Sequence, residues 1–317
     1  MFDLVLPLVN NMTVWAPGIF LLGIFVGSLT GLFGVGGGFL LTPSLNILFG
    51  IPYPVAVGSD LLQIFCTGSV SAFKHWRLKN FDLRLGWVMG ISAVIGAEVG
   101  KRIMDLLEKG GGTTPLTIII NGHEHLVLTL TLNILFLILL SSVMITMLRE
   151  TSGRQKESEG KTSTGISRRL HGLKILPLMS FPDSGISSMS FWVPFVVSFL
   201  VAILSGLMGI GGGFIMFPIL LYVIGVPTKI AVGTSAFRIL FSSGYGAFTH
   251  YGAGHVEFRL VAILLAGSMI GVQLGVLISK RLGALKIRKY FSYVIGLGIV
   301  MILYNLVYSF LFGTAAS

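Results

Sequence analysis

Eight apolar stretches, each close to the length that an α-helix needs to cross a bilayer, take up most of this chain. A crossing takes about 20 predominantly apolar residues. Charged residues are only 11% of the chain, against about 25% in soluble domains, so little polar surface is left for a water-soluble fold. We therefore predict an all-α polytopic membrane protein. The stretches lie at 14–33, 55–76, 85–104, 124–148, 190–208, 229–250, 259–279 and 290–312.

Lysine and arginine are concentrated between these stretches, so the formal net charge of +10 indicates membrane topology rather than a nucleic-acid partner. Placing the cation-rich segments in the cytoplasm puts both termini outside, in a multi-pass protein of the cell membrane. Lys101, Arg102 and Lys109 are exceptions to this positive-inside pattern, because they lie on the predicted outer side. The N-terminus has no positive region and no small-residue cleavage site, so we expect no cleavable signal peptide. The cation-rich segments are 74–84, 149–189 and 280–289.

The chain also repeats itself after 175 residues without a gap. Chance similarity between apolar segments would not align glycines, a proline and a histidine together, so the match indicates an internal duplication. The aligned pairs are GLFGVGGGFLLTPSL at 31–45 with GLMGIGGGFIMFPIL at 206–220, AVGSD at 56–60 with AVGTS at 231–235, and AFKHW at 72–76 with AFTHY at 247–251.

Each copy contains an apolar piece too short to cross comfortably, at 39–49 and 214–225, directly after a glycine cluster. We interpret each piece as a short or re-entrant half-helix, which makes five elements per copy. Because five is odd, the second copy enters the membrane from the opposite side. The sequence therefore predicts two inverted five-element repeats, at 14–148 and 190–312, and a flexible cytoplasmic linker at 149–189.

The glycine clusters are the first candidates for a binding site. Glycine lets the backbone leave a helix and approach a ligand closely, and the next helix begins with a donor-rich, positive end. Two such ends facing each other would hold an anion, whereas the alternative is close helix packing by small residues. A nucleotide loop is not predicted, because the pattern is not G-x-G-x-x-G and has no strand context. The candidates are Gly36, Gly37, Gly38 and Phe39 with Gly211, Gly212, Gly213 and Phe214.

Arg238 is the most informative polar residue, because it lies near the middle of the stretch 229–250. A cation placed there cannot easily reach the interface, and its planar fork of donors suits an oxyanion. Gln63 holds the equivalent position in the first copy. The alternative is a structural bridge between Arg238 and Asp60 without a ligand. Further candidates for the substrate site are Ser59, Thr234 and Ser235.

Three ionisable residues are candidates for coupling or gating. Asp60 shares a helix face with Gln63 and could carry a coupling proton. His75 and His250 occupy equivalent positions near the ends of their spans, where imidazole could relay protons near neutral pH. Anchoring at the membrane interface beside an aromatic neighbour is the alternative for both histidines.

The remaining polar groups favour structural interpretations. Glu98 lies one helical turn before Arg102, which predicts a local ion pair. The loop at 121–125 has too few ligands for a metal site. The single cysteine, Cys66, is expected to pack in a helix, with sulfur transfer as the alternative. We predict no metal, no cofactor and no enzymatic activity.

The duplicated G-x-G-G-G-x-x-x-x-P pattern, followed by AVGSD and AVGTS, resembles the sulfite exporter TauE/SafE family of membrane permeases. The resemblance covers about 15–105 and 190–312. It implies transport of sulfite, sulfonates, thiosulfate or carboxylates across the inner membrane of bacteria and archaea, and assigns no role to Arg238 or Asp60. The residues to which it adds weight are Gly36, Gly37, Gly38, Pro43 and Ser59 with Gly211, Gly212, Gly213, Pro218 and Thr234.

The resulting hypothesis is a secondary transporter that exports sulfite or a small organosulfonate by alternating access between the two copies. Proton coupling through Asp60 or a histidine is one option. The expected partners are a small anion and the lipid bilayer, with no nucleic acid and an open oligomeric state. A passive anion channel of the same fold, and a carrier of thiosulfate or small carboxylates, are the alternatives.

Overall fold

The computed structural model describes residues 5–7, 13–109, 117–120, 123–152, 165–173, 175–208 and 211–312. Most of the Ser- and Gly-rich part of the predicted linker, at 153–164, lies outside these ranges, as does Gly209. The side chains of the loop at 121–125, considered above as metal ligands, are also outside the described set. Within the described residues the chain is helical apart from three two-stranded hairpins, which confirms the predicted helical class.

The first half contains five helices. The turn after α1 is made by Gly34, whose positive φ of 67° ends the helix. Proline opens α3, where the missing N–H costs nothing in the first turn. The elements are the antiparallel strands β1 (Val5–Pro7) and β2 (Thr13–Trp15), α1 (Ala16–Phe33), α2 (Gly38–Phe49), α3 (Tyr53–Arg77), α4 (Leu83–Lys109), the antiparallel strands β3 (Thr117–Ile120) and β4 (His123–Leu126), and α5 (Val127–Ser152).

The second half repeats this order after a short helix and a hairpin. The predicted short piece at 214–225 is present as α8 and a π-helical turn, Leu220–Ile224, that continues it. The elements are α6 (Gly165–His171), the antiparallel strands β5 (Leu178–Phe181) and β6 (Ile186–Ser190), α7 (Trp192–Met208), α8 (Gly213–Ile219), α9 (Thr228–Gly252), α10 (Phe258–Arg281) and α11 (Ala284–Phe312).

Within the described residues, five helices are long and apolar enough to cross a membrane by length and composition. Shorter apolar helices, including α2 and the segment Gly213–Ile224, lie between them in the chain. The chain is therefore a multi-pass helical membrane protein. The five helices are Ala16–Phe33, Tyr53–Arg77, Leu83–Ile103, Phe258–Arg281 and Ala284–Tyr304.

The helices of the two halves pack in matched pairs. α1 packs along α10, and its counterpart α7 packs along α4. α3 packs on α9, and α5 packs on α11. A shift of 175 positions converts the first pair into the second and the α3–α9 pair into itself, whereas it places only 127–137 of α5 onto α11, at 302–312. This exchange supports a two-fold relation between the copies, while their inverted orientation stays a prediction.

Glycine allows the helices of the α1–α10 and α4–α7 pairs to approach each other closely. A Cβ atom at Gly271 of α10 would collide with the carbonyl oxygen of Ile24 on α1. At the equivalent place in the other pair, a Cβ at Gly96 of α4 would lie 2.5 Å from the carbonyl oxygen of Phe199 on α7. Both pairs therefore pack backbone against backbone, as small residues allow in membranes.

The end of the predicted flexible linker is folded into the β5–β6 hairpin. Ser184, in the turn between β5 and β6, donates to Asp82 Oδ2 through its backbone N–H at 3.1 Å and its hydroxyl at 2.7 Å. Asp82 is fully buried at the start of α4. Because a buried carboxylate needs donors, this contact fixes the hairpin against the first half.

Candidate binding site at the paired helix breaks

Two helix breaks of the same geometry lie at the start of α2 and of α8. Gly37 and Gly212 hold the N-cap positions with φ of 70° and 68°, and no side chain caps either described helix start. Residues with a Cβ rarely adopt this left-handed conformation, so glycine is required here. The breaks leave donor-rich helix starts inside the protein, as the glycine clusters predicted.

The two breaks lie next to each other in the interior of the protein. A Cβ at Gly36 would lie 2.5 Å from Ile239 Cδ1 and 2.9 Å from Ile64 Cγ2. A Cβ at Gly211 would meet the same two side chains, at 3.3 and 3.5 Å. Ile64 and Ile239 are equivalent in the repeat, so both glycine segments surround one symmetric pair.

The first helical residues of the two broken segments are also in contact. The rings of Phe39 and Phe214 have centroids 5.2 Å apart, and both side chains are buried. Gly38 and Gly213 precede them and are likewise buried. Gly36, Gly38, Gly211 and Gly213 therefore lie around the Ile64–Ile239 pair, and the Phe39–Phe214 contact joins the two helix starts.

Arg238 lies on α9 beside the second break and is fully buried. Its Nε donates to Ser198 Oγ at 3.2 Å, and its Nη2 donates to the Ser198 carbonyl oxygen at 3.2 Å. Nη1 has no hydrogen-bond partner among the described residues. It lies 3.2 Å from the position that a Cβ on Gly212 would occupy. The guanidinium therefore directs an unused donor at the backbone of the broken helix.

This arrangement concentrates positive charge. A helix start carries about half a positive charge, and Arg238 adds a full one without a carboxylate partner among the described residues. Burying such a charge unpaired is costly, because little water or polarisable material surrounds it. An anion beside Nη1 would satisfy both the cation and the helix start.

Asp60 lies at the first break rather than beside Arg238. Its Oδ2 accepts a 2.7 Å hydrogen bond from Thr42 Oγ1, and Oδ1 has no partner among the described residues. A Cβ at Gly38 would lie 2.8 Å from Oδ2. The described contacts contain no bridge between Asp60 and Arg238, so a carboxyl group faces one helix start and a guanidinium faces the other.

The remaining polar candidates on α3 and α9 form bonds within the helix framework. Gln63 Nε2 donates to Ser268 Oγ at 2.7 Å, and Gln63 Oε1 has no partner among the described residues. Ser235 Oγ donates to the Gly213 carbonyl oxygen at 3.5 Å. Gln63 and Ser235 are both fully buried.

Ser59 and Thr234 bind backbone groups of the opposite half. Thr234 Oγ1 accepts from the Asp82 N–H at 3.1 Å, and Ser59 Oγ accepts from the Glu257 N–H at 3.0 Å. These equivalent bonds join each copy's third helix to the loop before the other copy's fourth helix. The described contacts of both hydroxyls are thus structural.

The two histidines differ in their surroundings. His75 is fully buried, and its Nε2 donates to the Gly31 carbonyl oxygen at 2.9 Å. His250 is only partly buried and makes no such bond to Gly206, the residue equivalent to Gly31. The ring of His250 lies 5.6 Å from that of His255.

Sequence reasoning missed Ser198, whose side chain and carbonyl hold the guanidinium of Arg238. A lone serine in an apolar span gives little signal, and its equivalent in the first copy is Gly23. The predicted ion pair is confirmed, since Arg102 Nε lies 2.5 Å from Glu98 Oε1. Cys66 is partly buried and unpaired.

The sequence profile of the sulfite exporter TauE/SafE family matches residues 19–302, which is most of the chain. The chain belongs to this family. The TauE/SafE assignment agrees with the resemblance carried by the duplicated glycine pattern, and both matched copies lie inside the profile.

Curated TauE/SafE relatives are described as membrane transporters. The chain is 28% identical over 268 residues to the probable membrane transporter protein YunE of Bacillus subtilis, covering 82% of this chain and 87% of the relative. It is 27% identical over 304 residues to a probable membrane transporter protein of Methanocaldococcus jannaschii, covering 90% and 95%. A sulfite exporter TauE/SafE family protein of Arabidopsis thaliana is 32% identical over 108 residues, covering 34% of this chain and 24% of the relative.

No solved structure matches the chain. Among the described residues, no three His, Cys, Asp or Glu side chains are grouped closely enough to hold a metal ion. A membrane transporter of the TauE/SafE type is therefore the function that the comparisons support.

Proposed function

We propose that this protein is a secondary carrier for a small oxyanion, with sulfite or a small organosulfonate as the substrate class and export as the direction. The anion binds at Arg238, between the helix starts at Gly37–Gly38 and Gly212–Gly213. The family name supports the sulfur anion and the direction. The proposal is carried by Nη1 of Arg238, which is buried beside the second break and has no hydrogen-bond partner in the described part of the chain.

A tetrahedral or pyramidal oxyanion fits this donor set. One oxygen accepts from Arg238 Nη1 in a charge-assisted hydrogen bond, and the neighbouring backbone N–H groups solvate the others. Phe39 and Phe214 exclude water from one side of the site. Ser59 and Thr234 are left out, because their hydroxyls accept loop N–H groups.

Transport then requires the two copies, 14–148 and 190–312, to alternate in exposing this central site. Asp60 is the proposed coupling group, since it faces the first helix start with one oxygen unpaired. Its ionised form occupies the first helix start as an internal anion. Protonation removes that charge and lets the substrate approach, so that anion binding depends on the protonation state of Asp60.

The proposed setting is the plasma membrane of a prokaryote, with both termini outside and the small anion and lipid as partners. The cation-rich segments support this orientation. We propose no nucleic-acid partner.

The test is flux into proteoliposomes that contain the purified protein under an imposed proton gradient. Sulfite, sulfoacetate, taurine, thiosulfate and acetate are compared at several concentrations. The expected result is saturable flux with counterflow, highest for a sulfur oxyanion. Flux that rises with voltage without saturation would instead support a channel, and flux of acetate alone would move the substrate class to carboxylates.

Arg238→Gln, which installs the residue found at the equivalent position 63, tests the site. Losing a charge-assisted hydrogen bond costs about 1.5–3 kcal/mol, so KM should rise about 10- to 100-fold. Arg281→Gln, at an exposed cation near the end of α10, is the control and should leave KM unchanged. Equal KM values for the two variants would place the anion elsewhere.

A further inference from the structure

A narrow cleft of about 50 Å³ opens between α3, α4, α7 and α9. It differs from the site between the helix breaks in having an exposed residue, Lys101, in its lining, and polar side chains line it together with apolar surface. The lining residues are Leu61, Ala97, Lys101, Ser205, Gly206, Ser242, Tyr245, Gly246, Thr249 and His250.

The inner end of the cleft reaches the second helix break. Ser242 Oγ donates to the Gly211 carbonyl oxygen at 3.1 Å. A Cβ at Gly212 would lie 2.8 Å from Ser205 Cβ and 3.2 Å from Arg238 Nη1. Ser205, which lines the cleft, and Nη1 of Arg238 therefore both lie next to Gly212, and Ser242 bonds the preceding glycine.

The outer end carries net positive charge. Lys101 is exposed and lines the cleft beside His250. The carboxylate nearby, Glu98, accepts hydrogen bonds from Arg102 and from Tyr245. Because Glu98 is neutralised by Arg102, the ammonium of Lys101 sets the sign of the entrance. Attraction of anions to this entrance would explain why Lys101 lies on the predicted outer side, against the positive-inside pattern.

The equivalent place in the first copy is closed. His75 Nε2 donates to the Gly31 carbonyl oxygen at 2.9 Å, and Ser71 Oγ donates to the Thr30 carbonyl oxygen at 3.2 Å. The residues equivalent to His75 and Gly31 are His250 and Gly206, and both line the open cleft. The first copy thus has the His75–Gly31 hydrogen bond at the place where the second copy has the cleft between His250 and Gly206.

We propose that the cleft is the access path by which a small anion reaches Arg238, and that it opens to the outer face while the path at His75 is closed. In the opposite state the contacts exchange, so that His250 donates to the Gly206 carbonyl oxygen and His75 releases Gly31. The anion identity rests on the proposed function, whereas the exchange of contacts rests on the described hydrogen bonds. The predicted topology places the C-terminal ends of α4, α7 and α9 at the outer face.

Cysteine labelling tests the path without measuring transport. Cys66 is the only cysteine in the chain, so Cys66→Ser provides a clean background. Ser205→Cys places a thiol in the open cleft, and Thr30→Cys places one at the equivalent closed position. The probes are the membrane-impermeant sulfonatoethyl and trimethylammonium methanethiosulfonates, added to either face of sealed vesicles. Size-exclusion profiles in detergent select variants that fold.

Ser205→Cys should react from the outer face at least about tenfold faster than Thr30→Cys from either face, because only a hydrated thiolate attacks the reagent and releases methanesulfinate. The anionic reagent should be the faster of the two, and Lys101→Gln should reduce its advantage. Adding His75→Ala to the Thr30→Cys chain removes the closing bond and should raise labelling of the introduced thiol from the inner face. Equal rates at the two positions, or no change on removing His75, would overturn the path.

The two proposals can fail separately. Sided labelling without sulfur-anion flux would retain the path and reject the substrate. Saturable flux that depends on Arg238, together with equal labelling of the two introduced thiols, would retain the site and reject the path.

Discussion

The backbone N–H of Asp82 donates a 3.1 Å hydrogen bond to Oγ1 of Thr234. Glu257 makes the equivalent bond, of 3.0 Å, to Oγ of Ser59. Each copy's third helix therefore holds the loop that precedes the other copy's fourth helix. The halves are joined by reciprocal polar bonds as well as by apolar packing.

Thr234→Val should destabilise the protein. The substitution keeps the side-chain shape but leaves the buried Asp82 N–H unpaired, which costs about 1–3 kcal/mol. We expect a lower melting temperature in detergent with KM for the anion unchanged. Thr146→Val is the control, because that exposed hydroxyl donates to Ser142 of its own helix. An unchanged melting temperature with a raised KM would return Thr234 to the substrate site.

Ser198→Ala should weaken anion binding through the position of Arg238. The variant removes the acceptor of Arg238 Nε, and a hydrogen bond of this kind is worth about 1 kcal/mol. KM should rise about fivefold, while the maximal rate per folded protein is retained. Ser243→Ala, which loses only a bond to its own helix, is the matched control. A fall in maximal rate with constant KM would contradict a positioning role.

Gly271→Ala should separate α1 from α10. The added methyl group collides with the carbonyl oxygen of Ile24, and such overpacking typically costs about 1–3 kcal/mol. Thermal unfolding in detergent, followed by size exclusion, measures the loss. Gly252→Ala is the control, since a Cβ there has no heavy atom within 4 Å. If the two variants melt at the same temperature, backbone contact does not set the helix spacing.

Asp82→Ala should release the β5–β6 hairpin. Ser184 loses both of its bonds to the carboxylate, and the first turn of α4 loses the cap on the Leu85 N–H. Chymotrypsin should then cut at Phe181 faster than in the parent chain, as read by mass spectrometry. Asp183→Ala, at an exposed position in the same turn, should leave the cleavage rate unchanged. Protection that persists without Asp82 would assign the docking to the apolar side chains of the hairpin.

The helices could be predicted because helix formation in a membrane depends on the hydropathy of consecutive residues. A run of apolar residues of sufficient length must form helix in lipid, where every backbone group has to be paired inside the segment. The predicted stretch 229–250 and the observed α9, Thr228–Gly252, agree closely for this reason. The hairpin at 178–190 was missed, since its docking depends on the distant carboxylate of Asp82.

The candidate site was predictable only in part. Arg238 could be identified because a cation in the middle of an apolar span needs an explanation wherever it folds. Its partner could not, as the bridge to Asp60 and the bonds to Ser198 are equally compatible with the sequence. In the structure, Asp60 accepts a hydrogen bond from Thr42, and Arg238 donates a hydrogen bond to Ser198.

Sequence alone determined that this chain is a duplicated helical membrane protein with two glycine breaks, because hydropathy, repetition and backbone freedom are properties of neighbouring residues. Tertiary structure alone decided that the two breaks meet, that Nη1 of Arg238 beside Gly212 has no partner among the described residues, and that His75 bonds Gly31 whereas His250 does not bond Gly206. These contacts join residues far apart in the chain. Their geometry depends on how the helices pack, which no local pattern specifies.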